Sequence, residues 1–127
     1  MTSGPATLSY EQLCDLAIDW CQAWSFGDLD RIMSHYTDDV ALNSPNVVKR
    51  LGVADGWVRG KEALRAYFAE GLKAPGLRFE FVDLLVGVVH VSVVYRRETG
   101  ALVADTIEID AQGRGRRVIA CYGRPPK

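Results

Sequence analysis

The sequence predicts an α+β fold in which helices lie on one face of a curved antiparallel sheet. Apolar residues recur at helical spacing through most of the first 72 residues, whereas strand-like alternation dominates from residue 77 onward. No repeat, low-complexity tract or interdomain linker interrupts this order. The succession αα, β, α, ββββ therefore predicts one domain over residues 1–127, with a core from about residue 9 to residue 123.

Three amphipathic helices are predicted. Ser9 and Gln12 fit a capping box, and the apolar face of the helix that follows includes Trp20 and ends at Gly27. Asp28 can cap a second, short helix directly afterwards. The third helix is predicted over residues 61–72, where the apolar positions at helical spacing are Leu64, Tyr67, Phe68 and Leu72.

One short strand and one long loop separate the second and third helices. Residues 39–44 alternate in polarity, and Pro45 closes this strand. Residues 46–59 are predicted to form a loop long enough to rim a binding site. Trp57 in this loop can close over a ligand or pack down as an anchor, and we favour the anchor.

The last third of the chain carries the most informative acid. Residues 101–123 predict two strands turned at Gly113, and Asp105 lies inside the apolar strand pattern of residues 103–109. An ionised carboxylate facing a core costs several kcal/mol unless it is paired, hydrated or protonated. We therefore interpret Asp105 as the floor of a pocket.

The preceding strand is expected to bring a histidine to the same wall. If residues 99–100 form a two-residue hairpin turn, Val94 lies opposite Asp105, and Ser92 and His90 share its sheet face. A histidine exchanges protons near neutral pH, so Asp105 and His90 are the predicted proton-transfer pair. The alternative is that Asp105 bonds Trp20 or a tyrosine hydroxyl in a structural network and that His90 is a satisfied strand histidine.

Composition and charge exclude several classes of function. The chain is 48% hydrophobic and 24% charged, which is ordinary for a globular protein with a buried core. A formal net charge of -1 provides no field that would gather nucleic acid or an anionic membrane. The N-terminus lacks a secretion signal, and no apolar run approaches the roughly 18 residues of a membrane span. We therefore expect a cytoplasmic protein.

Cysteine and histidine usage argues against a metal centre. The cysteines Cys14, Cys21 and Cys121 form no CxxC pair, and their odd number argues against a disulfide framework. His35 and His90 stand in neither an HxH nor an HExxH spacing. No Gly-rich phosphate loop or nucleophile elbow is present either, so no metal and no cofactor are predicted.

Five short motifs accompany the element order: GDLD at 27–30, YTDDV at 36–40, SP at 44–45, GKEAL at 60–64 and DAQGR at 110–114. Together they resemble the nuclear transport factor 2-like superfamily, which includes ketosteroid isomerases, SnoaL-type polyketide cyclases, limonene epoxide hydrolases and scytalone dehydratases. The resemblance implies a cystatin-like fold, in which a cone-shaped sheet wraps around three N-terminal helices and a deep apolar pocket. Function varies widely among proteins that share this fold.

The active sites of these enzymes carry over only in part. The general-base aspartate of ketosteroid isomerases falls on Ser44, their oxyanion-hole tyrosine on Trp20, and their second oxyanion donor on Asp105. Ser44 cannot act as a base near neutral pH. The last-strand position of limonene epoxide hydrolases and the last-strand aspartate of SnoaL-type cyclases fall on Ala120. We therefore expect neither steroid isomerase nor limonene epoxide hydrolase activity.

The resemblance also completes the expected pocket. Besides Trp20 and Ser44, it places in the wall Tyr67, Phe68, Val118, Ala120 and Tyr122. Aromatic walls with a few convergent polar groups are typical of small-molecule sites.

These residues favour a cofactor-independent isomerase, cyclase, dehydratase or hydrolase that transfers protons on a hydrophobic ring-type substrate. Two alternatives are a non-catalytic module that binds a small apolar ligand and a dimerisation domain. The superfamily commonly dimerises through the outer sheet face, so we expect a homodimer built on Val89, Val91, Val93 and Ile119.

Overall fold

Six strands form one curved, open sheet with helices packed against it, which confirms the predicted fold class. A computed structural model describes residues 8–126 of the chain. Its elements are α1 (Tyr10–Phe26), α2 (Leu29–Met33), β1 (Tyr36–Asn43), α3 (Pro45–Leu51), β2 (Trp57–Arg59), α4 (Lys61–Gly71), β3 (Phe79–Val86), β4 (His90–Arg97), β5 (Leu102–Ile109) and β6 (Gly115–Tyr122).

The strand order in the sheet is β2-β1-β6-β5-β4-β3. Neighbouring strands run antiparallel except β1 and β6, which are parallel, so the sheet is mixed at one pairing where an antiparallel sheet was expected. β1 and β6 are distant in sequence, and no tight hairpin constrains them to run in opposite directions. Among residues 8–126, no helix is long and apolar enough to cross a bilayer.

The predicted start and end of α1 are confirmed. Ser9 Oγ accepts a hydrogen bond from the Gln12 backbone N–H at 3.0 Å, and Gln12 Oε1 accepts one from the Ser9 backbone N–H at 2.7 Å. Gly27 ends the helix with a φ of 70°, a backbone conformation that favours glycine. Asp28 then caps α2 by accepting a hydrogen bond from the Arg31 backbone N–H. These caps fix the corner between the two helices.

The segment 46–59, predicted to be a loop, contains α3 and the edge strand β2. Pro45 does close β1 as predicted, but it also occupies the first turn of α3, where its fixed φ favours a helix. Ser44 Oγ accepts a hydrogen bond from the Asn46 backbone N–H and so caps the same helix. The fold therefore has four helices among residues 8–126 rather than three.

The hairpin turn between β4 and β5 encloses three residues, not the two that were predicted. Glu98, Thr99 and Gly100 lie between Arg97 and Ala101, whose backbone N–H and carbonyl are hydrogen bonded at 2.9 Å. Gly100 has a φ of 86°, as in the common three-residue hairpin that ends in a left-handed glycine.

The extra residue shifts the register by one position. Asp105 pairs with Val93 instead of Val94. Because side chains alternate between the faces of a strand, this shift exchanges the inner and outer residues of β4. Val91, Val93 and Tyr95 are buried against the core, so the expected outer apolar patch that included Val91 and Val93 is wrong.

Candidate functional site

A cavity of about 320 Å³ lies between the helices and the inner face of the sheet. Its wall is mainly aromatic, with side chains from α1, α4, β3 and β4, namely Trp20, Trp24, Phe68, Phe79 and Tyr95. The volume is within the range of small-ligand sites.

The aromatic rings pack on one another and form a continuous wall. Phe79 stacks between Trp24 and Tyr95, with centroid distances of 4.9 Å and 4.6 Å. Trp20 meets Tyr95 edge-on at 5.2 Å, and Phe68 meets Trp24 edge-on at 4.8 Å. Such offset and edge-on contacts hold aromatic side chains in place. The wall is therefore apolar and preformed.

Asp105 is the buried acidic group of this wall. It lies on β5 between Val93 of β4 and Ala120 of β6, and only 5% of its surface is exposed. The Tyr95 hydroxyl donates a hydrogen bond to Asp105 Oδ1 at 3.3 Å, and among residues 8–126 no hydrogen bond is made to Oδ2. Burial raises the pKa of Asp105 to about 7, although the Tyr95 hydrogen bond and the Arg97 charge lower it. At neutral pH both protonation states are populated.

Three tyrosines near Asp105 remain protonated at neutral pH. Burial, and then the nearby Asp105 carboxylate, raise the pKa of Tyr36 and of Tyr95 well above the ordinary tyrosine value. The same two causes raise the pKa of Tyr122. The Trp20 indole N–H donates a hydrogen bond to Tyr36 Oη at 2.8 Å, so its donor is already engaged.

One buried donor of the wall lacks a partner. The indole Nε1 of Trp24 has no hydrogen-bond partner among residues 8–126, and it is also shielded from solvent, because only 6% of the Trp24 surface is exposed. An unsatisfied buried N–H costs free energy, which a ligand or water with an acceptor atom would recover.

The wall also contains other polar and charged groups. Ser44, at the end of β1, is in the wall with Tyr67 and Tyr122. Arg50 lies 4.6 Å over the ring of Tyr67. Arg97 lines the wall as well, and its guanidinium lies over the ring of Phe79.

Seven of the twelve predicted site residues therefore lie in the cavity wall: Trp20, Ser44, Tyr67, Phe68, Asp105, Ala120 and Tyr122. They come from α1, the junction of β1 and α3, α4, β5 and β6, so residues distant in sequence meet at one site. Their roles in binding or catalysis remain predictions.

The structure does not bring His90 to this wall. His90 is exposed at the start of β4 and pairs with Glu108, on the sheet face opposite to Asp105. Ser92 and Val94 share this outer face, where the Ser92 hydroxyl lies 2.8 Å from the Thr106 hydroxyl. The expected pairing of Asp105 with His90 is wrong because it assumed the two-residue turn.

Two other predicted residues also lie outside the cavity wall. Val118 faces inward but is packed in the core, with 1% of its surface exposed. Trp57 lies on β2, where its ring is contacted by the guanidinium groups of Arg59 at 4.9 Å and Arg117 at 4.6 Å. These contacts fit the favoured interpretation of Trp57 as an anchor.

Several residues of the wall were not predicted from the sequence. Tyr95 of β4 could have been, because Val91, Val93 and Tyr95 alternate with the more polar His90 and Ser92.

Other wall residues carry weaker signals. Helical spacing marks Trp24, and strand alternation marks Phe79, as apolar positions, but neither pattern shows that the residue borders a cavity. No local pattern marks Arg50 of α3 or Arg97 at the end of β4 as cavity residues.

The buried Cys21 does not add a nucleophile to the site. Burial raises the pKa of the Cys21 thiol to about 12, so it is not a nucleophile near neutral pH. In the described part of the chain, no three His, Cys, Asp or Glu side chains are grouped so that they could hold a metal ion.

The curved sheet, its covering helices and the cavity between them define a protein of the cystatin-like, nuclear transport factor 2-like class. The family model of the SnoaL-like domain matches residues 17–123, and the chain belongs to this family. No curated protein matches the chain significantly.

Solved structures support the same assignment. A SnoaL-like protein of unknown function from Burkholderia thailandensis is 33% identical, with a TM-score of 0.86 over 92% of this chain and 98% of the other. A protein with a cystatin-like fold from Methylobium petroleophilum is 15% identical, with a TM-score of 0.71 over 94% and 81%. SalBIII, an epoxide hydrolase/cyclase-like enzyme with a role in pyran ring formation in the polyether salinomycin, is 17% identical, with a TM-score of 0.69 over 89% and 92%. The last two likenesses show the fold alone.

Proposed function

We propose that this protein is a cofactor-independent enzyme that transfers protons on a hydrophobic ring-type substrate, with Asp105 as its acid and base. The observation that carries the proposal is one buried carboxyl with a pKa of about 7 in the wall of an aromatic cavity. A general acid or base is most effective when its pKa is near the working pH.

The two carboxyl oxygens of Asp105 have different roles in this proposal: one is held by the protein, and the other reacts with the substrate. Oδ1 accepts the hydrogen bond from Tyr95, which holds the carboxyl in place. Oδ2 is left for a substrate, from which the ionised form takes a proton and to which the protonated form returns one. A positioned group of this kind contributes about 10² to 10⁴ in rate.

The location of His90 narrows the type of reaction. Because His90 lies on the outer face, Asp105 must both remove and return the proton. Isomerisation needs only one such group, since the proton taken from one carbon is delivered to another. Cyclisation is balanced in the same way when the proton removed from the attacking group is delivered to the group that opens or leaves. We therefore place isomerisation and cyclisation before dehydration and hydrolysis.

A second candidate function is non-catalytic binding of a small apolar ligand. It is favoured because the two wall tyrosines near Asp105, Tyr95 and Tyr122, have raised pKa values and so do not exchange protons near pH 7. A dimerisation domain without a ligand is less well supported, because it predicts an interior filled by the protein's own side chains.

The experiment compares substitutions on the two sheet faces. Steroids, polyketide intermediates and terpenoid epoxides are first screened by thermal shift, and conversion of each ligand found is then followed by mass spectrometry. We expect Asp105→Asn to lower turnover at least about 10²-fold, because an amide cannot exchange the proton. The matched control, His90→Asn on the outer face, should retain the wild-type rate.

Full turnover by Asp105→Asn would remove the proposed mechanism. Saturable binding without conversion by the wild-type protein would instead support the binding module.

A further inference from the structure

The exposed part of the cavity lining, which we call its mouth, carries an arginine that forms no ion pair with any other of residues 8–126. Arg50 lies in the last turn of α3, is exposed, and belongs to the cavity lining. None of the ion pairs found among residues 8–126 includes Arg50.

The other charged residues at the mouth are neutralised by partners. Arg97 forms two hydrogen bonds of 2.9 Å with the carboxylate of Glu98. Glu70 pairs with Lys73 at 3.0 Å. Arg50 is therefore an exposed charge at the mouth that has no ion-pair partner among residues 8–126, and it favours a negatively charged group on the ligand.

Contacts with α4 fix the position of the Arg50 guanidinium. It lies 4.6 Å over the ring of Tyr67, which itself lines the cavity. A Cβ atom added to Gly71 would lie 3.5 Å from Nη1 and 3.7 Å from Nη2, so the guanidinium also passes close to the end of α4. A guanidinium binds a carboxylate through two parallel hydrogen bonds, and it does so best when its position is fixed by its neighbours.

We propose that the ligand of this cavity is a cyclic carboxylic acid, with its apolar ring inside the aromatic wall and its carboxylate paired with Arg50 at the mouth. This inference rests on the proposed function and names its substrate class. The aromatic wall accepts a flat or compact ring system, while Arg50 orients it by the opposite end. The ring end then reaches the depth at which Asp105 lies.

The test uses one fluorescent reporter and two competitors of nearly equal size and shape, one of which is charged and the other neutral. N-phenyl-1-naphthylamine reports occupation of the cavity, and 2-naphthoate and 2-naphthamide displace it. For the wild-type protein at low salt we expect 2-naphthoate to bind about two- to fivefold more tightly than 2-naphthamide, as for one partly exposed ion pair. This preference should shrink as ionic strength rises.

Variants on α3 assign the preference to one side chain. Arg50→Met keeps an unbranched chain over Tyr67 but removes the charge, so the preference for 2-naphthoate should disappear while reporter and 2-naphthamide affinities stay within about twofold. Lys49→Met removes an adjacent cation that does not line the cavity, and it should leave the preference unchanged. Arg50→Gln provides a polar replacement with the same expected result.

Equal binding of the two competitors by the wild type, or a preference that survives in Arg50→Met and Arg50→Gln, would overturn the inference. If the reporter still binds in that case, the proposed function stands, because its own test is the turnover of Asp105→Asn. If neither the reporter nor either naphthalene binds, both this inference and the ligand cavity of the proposed function are overturned.

Discussion

The protonation of Asp105 is coupled to folding. The folded protein holds this proton up to about pH 7, whereas an unperturbed aspartate releases it near 3.8. Between these pH values the folded state binds more protons than the unfolded chain, so stability falls as pH rises. The full effect is roughly 4 kcal/mol.

We therefore expect Asp105→Asn to flatten the dependence of stability on pH between about 4 and 8. At pH 8 the variant should be more stable than the wild type, because no buried charge forms in its folded state. Urea unfolding at a series of pH values measures the free energy of unfolding for both proteins.

Two further variants control this measurement. Asp38 is exposed, so Asp38→Asn should leave the pH dependence of the wild type intact. Tyr95→Phe removes the hydrogen bond that lowers the pKa of Asp105, so the loss of stability should extend to higher pH. A wild-type slope in Asp105→Asn would show that Asp105 does not hold its proton in the folded state.

At the scale of elements, the β4–β5 hairpin decides which side chains reach the cavity. Gly100 is its left-handed residue, with a φ of 86°. We expect Gly100→Ala to destabilise the protein by about 1–2 kcal/mol, because a Cβ atom is strained in that conformation and would also lie 2.8 Å from Pro126 Cγ, so Pro126 would have to move. Chemical denaturation measures the loss of free energy.

Gly71→Ala is the matched control for this glycine. Gly71 is helical, and an added Cβ would make ordinary contacts of at least 3.5 Å, so this change should be neutral or slightly stabilising. Equal losses in the two variants would mean that positive φ is not what Gly100 supplies.

Features that depend on residues close together in the sequence were predicted correctly. The capping box at Ser9, the turn at Gly113 and the inward position of Asp105 all follow from patterns among neighbouring residues. The hairpin register was mispredicted because residues 98–100 permit a turn of two or three residues. The mouth of the cavity was missed because Arg50 lies on α3, a seven-residue helix in a segment predicted to be a loop.

At the scale of the whole molecule, a homodimer remains a prediction. The outer sheet face available for it carries Val94 and Ile119, whereas Val91 and Val93 are buried in the core. Light scattering at micromolar concentration should give twice the 14.0 kDa chain mass. Val94→Lys should shift the protein toward the monomer, because a charge on an apolar interface is costly.

Val53→Lys is the control for that measurement, since Val53 lies in the loop between α3 and β2 rather than on the sheet. A wild-type mass of one chain would rule out the homodimer under these conditions. Dissociation by both lysine variants would indicate a general effect of charge rather than an interface on the outer face.

The length of the turn formed by residues 98–100 determines which side chains of β4 face the cavity. Shortening this connection by one residue would turn His90, Ser92 and Val94 inward and Tyr95 outward, which would remove the hydrogen bond to Asp105. Point substitutions in the connection are therefore easier to accommodate than a change in its length. Two chains that differ by a single deletion at this place would expose different chemistry to their ligands even if every other residue were identical.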